Sequence, residues 1–134
     1  MTTNAEKAAL INRIALGCVF ISHGLLKSVV YTLAESAQFF ESLGIAGWLA
    51  YVVTFCEIIG GAALVLGIRT RWATVALLPV LLGTLWVHSG NGWLFTSPNG
   101  GWEYSAMLLV VSSVQILLGD GAFALAPERS RSLN

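Results

Sequence analysis

The chain has 134 residues, 56% of them apolar and only 10% charged, with a mean hydropathy of +0.76, which excludes an ordinary water-soluble domain. Seven Lys and Arg balance seven Asp and Glu, so there is no basic field for nucleic acid and no acidic run to act as a solvated tail. Cys18 and Cys56 stand alone in apolar sequence without CxxC spacing, which excludes a zinc site built on them.

A helix needs about 20 mostly apolar residues to cross a hydrocarbon core of about 30 Å. Four stretches approach that length: residues 8–27, 48–68, 72–88 and 102–119. The expectation is therefore an all-α polytopic membrane protein, one domain folded as a four-transmembrane-helix bundle with a tail over 120–134. In the first span, Lys7 and Arg13 precede an apolar run from Ile14 to Ser22, as in a secretory signal, but no small-x-small cleavage site follows. It is expected to stay as the first helix. Arg13, Gly17, Phe20, Gly24 and Lys27 share one face of that helix, with His23 one turn below Lys27, and this face should look inward. Next, Thr32-Leu-Ala-Glu35 fits a capping box, and Leu33, Ala37 and Phe40 oppose Glu35, Gln38 and Glu41. That pattern predicts a short amphipathic helix over 32–43, lying at the outer interface and ended by Gly44.

The second span puts Glu57 on one face with Thr54, Gly60, Gly61 and Leu64, where small residues admit a neighbouring helix, so Glu57 should point into the bundle. The third span is short and contains Pro79. The loop from Ser89 to Gly101 is rich in turn residues but holds Trp93 and Phe95, and is expected to fold back over the bundle as a lid. Lys7, Arg69, Arg71, Arg129 and Arg131 fall on one side of a four-span bundle, which predicts that both termini are cytoplasmic. Tyr31, Trp48, Trp86, Trp93, Trp102 and Tyr104 cluster at the opposite, outer boundary.

Ionisable groups in a bilayer cost several kcal/mol unless paired or hydrated, so Arg13, His23, Lys27, Glu57, His88 and Glu103 are the informative residues. At about 1.5 Å per residue, Lys27, His88 and Glu103 should lie near the outer boundary, His23 about 6 Å deeper and Glu57 about 12 to 14 Å below it. Glu57, His23 and His88 are the candidate catalytic residues, able to transfer protons or to hydrogen-bond a quinone-like carbonyl. Lys27, Glu103, Trp93, Tyr104 and Arg13 are the candidate substrate-binding residues, and no metal is implied. The plainer reading pairs Lys27 with Glu103, bonds His88 to a loop carbonyl, and makes Glu57 an acid that fixes helix register. It leaves Arg13 and Asp120 as interface anchors and the cysteines as small packing residues.

Taken in order, Arg13-Ile-Ala-Leu-Gly-x-x-Phe20-x-x-His23-Gly24-x-x-Lys27, Phe55-x-Glu57-x-x-Gly60-Gly61, Leu66-Gly67-x-Arg69-Thr70-Arg71, His88 and Gly-Trp-Glu103-Tyr104 resemble the DoxX family. The resemblance runs from Arg13 to Gly119. It implies a small four-helix protein of the bacterial cytoplasmic membrane, and an oxidoreductase subunit linked to quinone rather than a self-sufficient enzyme. The residues show no flavin or nicotinamide fingerprint, haem-attachment motif or iron–sulfur cysteine set, so electrons are expected from a partner protein. Besides the lipid bilayer, the expected partners are a redox or other membrane protein and a second copy of the chain, with no nucleic acid. Two other readings remain open: a non-enzymatic membrane scaffold or assembly chaperone, and a proton-coupled carrier of a small solute.

Overall fold

The computed structural model describes residues 1–128; Arg129 and Arg131, which enter the charge-asymmetry argument, lie outside the described residues. Helix α1 (Asn4–Leu25) begins at a reciprocal capping box. The Thr3 hydroxyl oxygen accepts from the Glu6 N–H at 3.2 Å, and the Glu6 carboxylate accepts from the Thr3 N–H at 2.7 Å. Thr3-Asn-Ala-Glu6 has the same spacing as Thr32-Leu-Ala-Glu35, and it starts the helix four residues before the expected span. At its far end α1 does not stop at Lys27. It widens into a π-turn over Leu26–Val30, giving one helical rod of 27 residues from Asn4 to Val30.

Helix α2 (Leu33–Ser42) is the expected amphipathic helix, begun by the Thr32 hydroxyl accepting from the Glu35 N–H at 3.3 Å and followed by Gly44 at φ 76°. Ser36 is buried and Leu33, Ala37 and Phe40 are half-buried, whereas Glu35, Gln38 and Glu41 are exposed. The Ser36 hydroxyl donates to the Lys27 carbonyl at 3.2 Å and so ties α2 to the π-turn. Helices α3 (Trp48–Leu66) and α4 (Thr70–His88) are joined by three residues, with Gly67 at φ 72° and Arg69 at φ 43°. A side chain at Gly67 would strike Ala124 as well as adopting a left-handed backbone. Helix α5 (Glu103–Leu118) closes the set.

The helices α1, α3, α4 and α5 form a ring, with α1 along α3, α4 along α5, and the α3–α4 and α1–α5 contacts completing it. At the α1–α3 crossing, a Cβ on Gly17 would lie 2.6 Å from the Gly61 carbonyl oxygen, and one on Gly61 would lie 2.8 Å from the Gly17 carbonyl oxygen. Only glycines let these two backbones touch. Leu16, Phe20, Leu64, Leu77 and Leu81 fill the middle, while Phe55, Ile59, Trp72, Leu82, Val110 and Leu117 face outward. Apolar residues on the outside of apolar helices are what a lipid solvent permits. Three rods, Asn4–Val30, Trp48–Leu66 and Thr70–Asn91, are long and apolar enough to cross a membrane, and the 16-residue α5 is shorter. The fold is thus all-α and of the membrane-helical kind.

Two residues expected to be interface anchors are built into the bundle instead. Arg13 is 1% exposed; its guanidinium donates to the Leu64 and Val65 carbonyls in the last turn of α3 and to the Ala122 carbonyl at 2.9 Å. A helix C-terminus carries free carbonyls and partial negative charge, so a buried cation there is compensated rather than forced to reach for water. Asp120 likewise caps α4 from outside the helix, its Oδ1 accepting from the Thr70 N–H at 2.8 Å and the Thr70 hydroxyl at 2.9 Å. Its Oδ2 accepts from the Glu128 N–H at 2.7 Å. Burial pushes the Asp120 carboxyl up, but the hydrogen bonds from Thr70 and Glu128 together with the charge of Arg71 outweigh it and leave the group below the ordinary Asp range. Residues 119–126 run back along this end of the bundle, with the Leu125 N–H donating to the Leu66 carbonyl at 3.1 Å and the Arg69 N–H to the Ala126 carbonyl at 3.0 Å.

Candidate functional site

At the other end of the ring, the Lys27 ammonium donates to both carboxylate oxygens of Glu57, at 2.9 and 2.8 Å. Glu57 is 4% exposed and the Lys27 side chain 23% exposed, so a buried carboxylate meets a half-buried ammonium. This corrects the expected Lys27–Glu103 pairing, and the π-turn supplies the reason. Because the rod continues to Val30, Lys27 lies a turn inside its end, and Gly24, one turn earlier, packs against Thr54 and Glu57. The expected depth difference between Lys27 and Glu57 therefore shrinks to what a lysine stem spans.

His23 stands beside the pair. Its Nδ1 hydrogen-bonds the Val19 carbonyl at 2.8 Å, which makes Nδ1 the donor and leaves Nε2 free. The ring stacks on Tyr104 with centroids 5.8 Å apart and planes 27° from parallel. Both line a cavity of about 40 Å³, bounded also by Glu57, Thr84 and Ser105 among apolar side chains. That volume admits water, but an aromatic ring needs a cavity nearer to about 150 Å³. Thr84 and Ser105 are additions from the structure, since single hydroxyl residues in apolar helices give the sequence pattern little to mark.

A second and larger space adjoins the first. The cleft measures about 370 Å³ and is walled by Trp93, Phe95, Glu103, Tyr104 and Met107. Tyr104 borders both spaces. The Ser89–Gly101 loop, expected as a lid, supplies Trp93 and Phe95 to one wall of the cleft. It is held against the first turn of α5, whose unpaired N–H groups at Trp102 and Glu103 donate to the Gly92 and Trp93 carbonyls at 3.1 and 3.2 Å. Trp93 packs edge-on against Trp102 at 4.6 Å, and the Glu103 Oε1 accepts from the Phe95 N–H at 2.8 Å. Trp93 and Phe95 stay exposed, and Met107, 62% exposed, opens the cleft toward the outer face of α5.

Two predicted site residues stand apart from this cluster. His88 turns its Nδ1 to the Thr84 carbonyl at 2.8 Å, within its own helix and not to a loop carbonyl, because the i−4 carbonyl lies within its reach. Its ring packs beside Gly100 and borders neither cavity. Arg13 sits at the opposite end of α1, fourteen residues and about 21 Å of helix from Lys27. Both cysteines are free thiols, and among the described residues no group of three or more His, Cys, Asp and Glu is arranged to hold a metal ion.

The DoxX family profile matches residues 8–90. "Putative oxidoreductase CatD" of Bacillus subtilis (strain 168) is 31% identical over 127 residues, which is 95% of this chain and 90% of that protein. No solved structure matches the chain. With more than half of its length under the family profile and a relative aligned almost end to end, the chain belongs to the DoxX family.

Proposed function

We propose that the chain is the membrane subunit of a quinone-linked oxidoreductase system, with the quinone ring in the cleft of Trp93, Phe95, Glu103, Tyr104 and Met107. The observation that carries this reading is Tyr104, which borders both the ring-sized cleft and the water-sized cavity of His23 and Glu57. The two spaces divide the work by size. A cleft of about 370 Å³ lies in the usual range for small ligands, and its aromatic walls suit a flat apolar ring. The inner cavity is too small for a ring and instead suits water, so it serves as a proton reserve rather than a binding pocket. The likeness to the relative named "Putative oxidoreductase CatD" supports a redox role.

In this reading the quinone accepts two electrons and two protons, and the electrons come from a partner protein. The residues of this chain handle the ring and the protons. Trp93 and Phe95 hold the ring, and the Tyr104 hydroxyl hydrogen-bonds an oxygen on it. His23 Nε2 and the Lys27–Glu57 pair exchange protons with water in the inner cavity and so resupply Tyr104. Helix α5 serves as the fourth span, its roughly 24 Å accommodated by slight local thinning of the bilayer. Lys7, Arg69 and Arg71 put both termini on the cytoplasmic side of the bacterial cytoplasmic membrane, with the cleft at the outer face. The exposed Met107 side then opens to lipid, the phase in which a quinone diffuses.

Titration of the detergent-solubilised protein with a short-chain quinone tests this, because Trp93 in the cleft wall should be quenched on binding. The expected result is saturable quenching, with affinity at least tenfold lower in Phe95→Ala, which keeps Trp93 as the reporter. Linear, non-saturating quenching identical in both proteins would sink the proposal.

A further inference from the structure

Among the described residues, Glu103 is the single charged side chain lining the cleft, and it differs from its neighbours in what it offers a ligand. One carboxylate oxygen accepts from the Phe95 N–H at 2.8 Å. The other has lone pairs to offer, and an ionised carboxylate has no proton to give. Among the described residues no Lys or Arg forms a salt bridge with Glu103, and the loop from Ser89 to Gly101 contains neither residue type. As the first residue of α5, Glu103 also sits at the positive end of a helix, where a negative charge is favoured. The cleft therefore presents a fixed acceptor, with no Lys or Arg paired to it among the described residues, beside aromatic walls.

We infer that this cleft binds the hydroxyl-bearing, reduced form of its ring more tightly than the carbonyl-bearing form, and that Glu103 sets the preference. The inference rests on the quinone reading of the cleft. A ring hydroxyl donates to the carboxylate in a charge-assisted hydrogen bond and still accepts from Trp93 or Tyr104. A ring carbonyl can only accept, so against Glu103 it sets one acceptor facing another with no proton between them. Tyr104 does not discriminate, because its hydroxyl both donates and accepts. The preference also shifts the bound couple toward its reduced form, each tenfold ratio of affinities raising a two-electron potential by about 30 mV.

The test titrates the detergent-solubilised protein, without oxygen, with a short-chain quinone and separately with its quinol, following tryptophan emission. The expected result is a quinol Kd at least tenfold below that of the quinone. In Glu103→Gln the amide oxygen keeps the acceptor for the Phe95 N–H while the amide NH₂ adds a donor, so the ratio should move at least tenfold toward the quinone. Equal affinities in the wild-type protein, or tighter quinone binding, would overturn the inference and leave the quinone site standing. A wild-type preference that persists unchanged in Glu103→Gln would overturn the role of Glu103. Absence of saturable binding by either form would remove the inference and the site together.

Discussion

Lys27 and Glu57 carry opposite charges inside an apolar bundle, and each is tolerated there because of the other. Removing one partner strands a buried charge, whereas removing both need not. Lys27→Met should therefore destabilise the protein by on the order of 3 kcal/mol, and adding Glu57→Gln should recover most of the loss. Thermal unfolding in detergent across the four proteins reads this directly; losses that simply add would mean the residues act independently. The inward direction of Glu57 was legible in the sequence, because Thr54, Gly61 and Leu64 share its helical face and are also buried. Its partner was not legible. A π-turn leaves no mark in apolar sequence, and without it Lys27 looks like a boundary residue rather than one a turn inside.

Among the elements, the span-forming helices could be read to within a few residues because their length and hydropathy are strong signals, and the close α1–α3 crossing was foreshadowed by Gly17 and Gly61. The connections between elements were less legible, since they depend on residues distant in sequence. Asp120 reaches α4 from a position 50 residues beyond Thr70, and no local pattern announces such a cap. Asp120→Ala should lower stability by about 1 kcal/mol, the usual scale for loss of a helix cap. Because the folded carboxyl titrates below its ordinary value, its contribution is fully present above about pH 3.9 and disappears as pH falls through the lowered folded value. The gap between wild-type and Asp120→Ala melting temperatures should accordingly be constant near neutrality and close in strong acid. A gap that does not narrow at all as the pH is lowered into strong acid would show that the carboxylate charge is not its source. What holds the loop before α5 is hidden for a related reason: its turn residues mark a loop, but the N–H groups at the start of α5 decide where that loop is held.

For the molecule as a whole, the ring of four helices has two unlike ends. One is fastened by Arg13, Asp120 and residues 119–126, and the other holds the Lys27–Glu57 pair and the aromatic cleft. That asymmetry fits a protein whose chemistry faces one side of a membrane. In the four-span arrangement, with Cys18 and Cys56 replaced by alanine, Ser97→Cys in intact cells should react with a membrane-impermeant maleimide and Thr3→Cys should not. Labelling of both or of Thr3→Cys alone would contradict the orientation. Whether the cleft beside Tyr104 is a quinone site is read most directly from the quinone content of the protein purified in mild detergent. Close to one quinone per chain is expected in the wild-type protein and in Glu57→Gln, with a marked loss when Trp93 and Phe95 are both replaced by alanine. Quinone no more abundant than in an unrelated membrane protein prepared the same way would contradict a quinone site there, and would leave the cleft as a surface for docking another protein.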